Sequence, residues 1–210
     1  MKKTGTYTLN IFKNYLTVLT CTFLILFAGR YIIEDALPYF QFNEDVYGRF
    51  WEVKWSLIGH VTGGLLALAV GPFQFWKAFR DYNISAHQTM GKIYVTAVVI
   101  GAGSATYLAW TAALAIHWTW SVSLQAGAFF WLTSVIMAVR AIIRRRIQSH
   151  REWMIRSYVL TFSFVLFRWL IDLPFIAGLG DFIERAPTVA WITFVIPLFI
   201  TEIILQWNND

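Results

Sequence analysis

Long apolar runs broken by short polar connections organise this chain. Six stretches, roughly Tyr15–Ile33, Trp55–Trp76, Lys92–Ala115, Trp120–Ile143, Ser157–Ala177 and Thr188–Gln206, are long and apolar enough to be membrane helices. A helix needs about 20 mostly apolar residues to cross ~30 Å of hydrocarbon. The connections leave no room for a soluble domain, so the pattern predicts one integral domain over residues 1–210, an all-α bundle of six transmembrane helices.

Within these runs the polar positions are periodic. At about 100° per residue, His150, Met154, Ser157, Thr161, Arg168 and Asp172 fall within ~40° of one line, which predicts a polar stripe turned into the bundle. Arg168 then lies about 11 residues into its span, roughly 17 Å deep, where a charge needs a partner. Asp172, one turn on, is the expected partner. In the second span His60, Gly64, Ala67, Gly71 and Gln74 share a face, and Pro72 should kink the helix. In the third, His87, Gly91, Tyr94 and Val98 align, and Ala97, Gly101, Ala105, Ala109 and Ala113 form a ladder suited to close helix packing.

Composition agrees with a membrane class: 58% of the residues are hydrophobic and 14% charged. The net charge of +5 does not point to nucleic acid, because the basic residues sit in short runs at span ends. Lys2, Lys3, Lys13, Lys77, Arg80, Lys92, Arg140, Arg144, Arg145, Arg146, Arg151 and Arg156 place 12 of the 17 Lys and Arg on one side. The positive-inside rule therefore predicts cytoplasmic N- and C-termini, with a retained first span and not a removed signal. The single cysteine, Cys21, excludes an intrachain disulfide.

The four histidines are His60, His87, His117 and His150. The predicted topology sorts them into an outer pair (His60, His117) and an inner pair (His87, His150). A b-type haem needs two neutral imidazoles from different helices at one depth. His60 and His87 each carry a glycine four residues on, Gly64 and Gly91, which leaves space for a flat macrocycle. His117 falls ~120° off the His87 face and is the weaker ligand. No Cys or acidic residue accompanies the histidines at metal spacing, so no metal is expected beyond haem iron.

The motifs His60-x-x-Gly-Gly, Gly71-Pro72-Phe-Gln74-Phe, His87-x-x-x-Gly91-Lys92-x-Tyr94 and His150-x-x-Trp153-Met154-x-Arg156-Ser157-Tyr158, with Arg168 beyond, resemble a large bacterial family of predicted membrane proteins catalogued as a domain of unknown function. The resemblance covers about residues 55–170 and implies a multi-pass protein of the bacterial cytoplasmic membrane, without an established activity. Gln88 stands where that family often has Arg. The layout of histidines on successive spans is also similar to six-helix transmembrane cytochromes b that pass electrons from ascorbate.

Three function classes follow. The first is electron transfer by haem b on interhelical histidine pairs, with a membrane redox partner. The second is a small transporter or ligand-binding protein with a cavity lined by Arg168, Asp172, Gln74 and Thr161, joined by Glu202. The third is an accessory or assembly protein without chemistry of its own. In all three the principal partner is the lipid bilayer.

Overall fold

The computed structural model describes residue 22 and residues 25–207, and every regular element among the described residues is helical. Among the described residues five helices are long and apolar enough to cross a membrane: Glu44–Phe75, Ile84–Ala113, Trp118–Ile143, Ile147–Ile171 and Phe182–Trp207. They correspond to the second to sixth predicted spans. Most of the predicted first span lies outside the described residues, as do Lys2, Lys3, Lys13 and Cys21. The α-helical parts of the five spans are α1 (Lys54–Phe75), α2 (Ile84–Leu108), α3 (Trp118–Ile143), α4 (Ile147–Ile171) and α5 (Phe182–Trp207).

The starts of α2 and α4 lie furthest ahead of those that hydropathy predicts, because local hydrogen bonds order the polar turns before them. The Asn83 side chain accepts the Ala86 N–H at 2.9 Å, so α2 begins eight positions before Lys92. Between α3 and α4 the three arginines form the whole turn. The Arg146 N–H donates to Ala141 and the Arg145 N–H to Ile142, both at 2.9 Å, while Arg145 takes a φ of 57°. That bond pair with a left-handed residue is a Schellman ending. As a result α4 starts at Ile147, and His150 is already helical.

The most extensive contact is between α1 and α2; α3 packs on α4, and α4 on α5. A Cβ added at Gly63 would meet the Ala97 carbonyl at 2.5 Å and the Gly101 nitrogen at 2.7 Å. The small-residue ladder of the third span is therefore the closest meeting of these two backbones, as its spacing predicts. On its other side Gly101 faces the ring of Trp131, which is fully buried.

Pro72 lies inside α1 and cannot donate a hydrogen bond to the carbonyl of Leu68. Tyr158 of α4 donates its hydroxyl to that oxygen at 3.2 Å. Its ring lies where any side chain at position 71 would stand, so Gly71 makes the approach possible.

The polar stripe of α4 does face the interior in its middle, where Met154, Ser157 and Thr161 are buried. Its hydroxyls are satisfied by other helices, and the proton directions can be assigned. The Trp131 Nε1 only donates, and does so to Thr161 Oγ1 at 2.9 Å. The Thr161 hydroxyl donates to the Ser157 carbonyl at 3.0 Å. The Tyr94 hydroxyl must then donate to Thr161 Oγ1 at 3.1 Å and accept from Ser157 Oγ at 3.0 Å.

Candidate functional site

His87 and His150 occupy equivalent places: each is the fourth residue of its helix, α2 and α4 respectively. Both lie at the arginine-rich end of the bundle, and their rings are within electrostatic range of each other. The His150 Nδ1 is 2.9 Å from the Ala138 carbonyl on α3. A carbonyl can only accept, so the proton sits on Nδ1, and the neutral ring carries its lone pair on Nε2. A backbone carbonyl that accepts from Nδ1 in this way orients an imidazole for ligation through Nε2. The Nδ1 of His87 is buried and has no hydrogen-bond partner among the described residues, and an unsatisfied buried nitrogen is costly.

The glycine beside this pair does not leave an open slot. A Cβ on Gly91 would meet the Gln74 Oε1 at 3.2 Å, and the Gln74 amide lies 3.5 Å from the His87 carbonyl. Gln74 therefore belongs to the histidine end of the bundle and not to a cavity with Arg168. Gly64 has nothing within 4 Å of an added Cβ.

The other two histidines are not brought together. His60 places Nδ1 at 3.0 Å from the Gly101 carbonyl and packs edge-on against Phe164 at 5.2 Å. Its Nε2 therefore carries the lone pair, as in His150. His117 is the N-cap of α3 and accepts the Thr119 N–H on Nδ1 at 3.3 Å. A neutral ring that accepts on Nδ1 holds its proton on Nε2, the reverse of the tautomer that ligation through Nε2 needs. Its exposed capping position separates it further from the interior.

Arg168 differs from the expectation of a deeply buried charge. Because α4 ends at Ile171, Arg168 lies in the last turn, beside the helix C-terminus that favours cations, and its side chain is 41% exposed. Its ion-pair partner is Asp35 at 3.7 Å, in the segment before α1, and not Asp172. Burial pushes the Asp35 carboxyl up, against the opposing pull of Arg168. Asp172 caps α4 and lines the same cleft as Arg30, Tyr31, Asp35 and Trp169. Trp169 is sandwiched there: Phe27 stacks on it at 4.5 Å, Arg30 lies 4.4 Å over its ring, and its Nε1 donates to the Phe27 carbonyl at 3.0 Å.

The expected cavity of Arg168, Asp172, Gln74, Thr161 and Glu202 is therefore dispersed. His150 and Arg168 are about 27 Å apart along α4 at 1.5 Å per residue. Thr161 belongs to the central network between them. Glu202 binds Arg156 at 2.6 Å near the arginine-rich end, and Arg156 also reaches Glu152 at 4.0 Å and stacks on Trp153. The Arg156–Glu202 tie from α4 to α5 was missed in the sequence, because the two are 46 positions apart on different spans.

The fold and these sites define a polytopic helical membrane protein with its polar groups inside the bundle. The chain belongs to the family described as predicted membrane protein (DUF2306), which it matches over residues 57–205. That match runs past the motif-bearing region of about 55–170 to take in most of α5. No curated protein and no solved structure matches the chain.

Proposed function

We propose that this protein is a haem b-binding electron-transfer protein of the bacterial cytoplasmic membrane, with its haem at the arginine-rich end between His87 and His150. The observation that carries the reading is the imidazole pair itself. His150 is oriented by its Nδ1 contact with the Ala138 carbonyl, and it lies within electrostatic range of a histidine whose buried Nδ1 has no hydrogen-bond partner among the described residues. Bound there, haem supplies a one-electron couple.

The residues of the chain divide the work. His150 and His87 would hold the haem iron, and the Ala138 carbonyl fixes the tautomer and direction of the His150 ring. Gln74 must swing away from Gly91 to admit a flat group beside His87. Arg80, within electrostatic range of His87, adds positive charge at this end. By the positive-inside rule the arginine-rich end and both termini are cytoplasmic, so the redox partner meets the protein from that side.

The reading takes a single haem. His117 is spent on capping α3, and among the described residues no other imidazole accompanies His60. The competing reading, a ligand cavity at Arg168, is weaker on magnitude. The cleft there holds about 10 Å³, room for one water at most, and Arg168 is already paired.

The test is a pyridine-haemochrome assay on protein purified from haem-replete cells. The reading requires one haem b per chain; a preparation with correct helix content and no haemochrome overturns it.

A further inference from the structure

A groove of about 320 Å³ runs between α1 and α2, on the side opposite the buried Trp131 contact of Gly101. It falls at the lower end of the volumes that hold small ligands. Its floor is Gly63 against Ala97, where the two backbones approach so closely that no side chain fits. Its walls are Leu66, Ile93 and Ile100, which are 45%, 43% and 51% exposed. From Thr89 to Ile100 it follows α2 for eleven residues, about 16 Å at 1.5 Å per residue. That is close to half of the ~30 Å hydrocarbon thickness, the depth of one leaflet. The end toward mid-membrane is apolar; the other end carries Lys92 and Thr89 and opens at the arginine-rich end of the bundle. Among the described residues Lys92 has no ion pair.

An apolar furrow one leaflet long with an unpaired ammonium at its interfacial end matches one chemistry. We infer that the α1–α2 groove is a binding site for an anionic phospholipid, with an acyl chain along Leu66, Ile93 and Ile100 and the headgroup phosphate on Lys92. The long lysine stem lies along the apolar wall while its charge reaches the headgroup level. The Thr89 hydroxyl stands beside it as a hydrogen-bond donor. Juxtamembrane basic residues each contribute roughly 1 kcal/mol of attraction to anionic lipid, about a fivefold preference.

The experiment uses the full chain reconstituted with equal amounts of phosphatidylglycerol and phosphatidylethanolamine, followed by native mass spectrometry at increasing collision energy. The expected result is retained phosphatidylglycerol adducts in about fivefold excess over phosphatidylethanolamine. Lys92→Gln should bring the two lipids to equal retention, and Lys92→Arg should restore the preference. Thr96→Phe, which fills the groove, should reduce both adducts while circular dichroism stays unchanged. Equal retention of both lipids by the wild-type chain, or an undiminished phosphatidylglycerol adduct in Lys92→Gln, overturns the inference.

Discussion

Tyr158 donates its hydroxyl to the one carbonyl of α1, that of Leu68, which Pro72 leaves without its helical partner. Two motifs that look unrelated along the chain, Gly-Pro-Phe-Gln-Phe and Arg-Ser-Tyr, are thus two halves of one contact. Pro72 frees the acceptor, Gly71 makes room, and Tyr158 fills both. Replacing Tyr158 with Phe should lower stability by about 1 kcal/mol, the usual scale for a hydrogen bond between membrane helices. Gly71→Ala should cost more than Tyr158→Phe, because it displaces the ring itself. Unfolding in mixed micelles reads both.

The central network makes a directional prediction. Thr161 Oγ1 is shared by Trp131, Tyr94 and the Ser157 carbonyl. Thr161→Val, of nearly the same shape, strands the buried Trp131 N–H and takes from the Tyr94 hydroxyl one of its two partners, leaving it Ser157. Its cost should exceed that of Tyr94→Phe, which leaves Trp131 bonded; leaving a buried group unsatisfied costs about 1–3 kcal/mol. Trp131 fluorescence should shift in Thr161→Val and stay in place in Tyr94→Phe.

At the opposite end, the Arg168–Asp35 pair should couple weakly. The two side chains are 41% and 26% exposed, and partly exposed pairs contribute about 0–1 kcal/mol. Its pH response has a defined sign. Asp35 is held above its ordinary value by burial, so the folded state favours the protonated acid. The stability that it contributes is present below the ordinary carboxylate value and is lost as pH rises through the raised one. Protection factors of residues 32–53, with the intrinsic pH dependence of exchange divided out, should therefore rise on mild acidification, and Asp35→Asn should abolish that rise.

How much of this was legible in the sequence varies by feature. The five described spans, the close-packed ladder around Gly101 and the inward Ser157–Thr161 stripe follow from hydropathy and a 3.6-residue period, both local properties of the chain. Helix starts were not legible from hydropathy, because Asn83 and the arginine turn extend α2 and α4 through polar residues. At the other end, α4 stops at Ile171, short of the predicted Ala177, which places Arg168 in the last turn and pairs it with Asp35, 133 positions away, in place of its helical neighbour. Periodicity ranks partners on one helix and says nothing about partners on another. His117 shows the same limit: a cap and a ligand look alike until the nitrogen that accepts is known.

The central claim, one haem held by His87 and His150, is tested most directly by reduced-minus-oxidised spectra of the purified protein and its four single His→Ala variants. The account predicts a haem b α-band in the wild type, its loss in His150→Ala and His87→Ala, and its persistence in His117→Ala and His60→Ala. A wild-type protein without the band, or a band that survives His150→Ala, contradicts it.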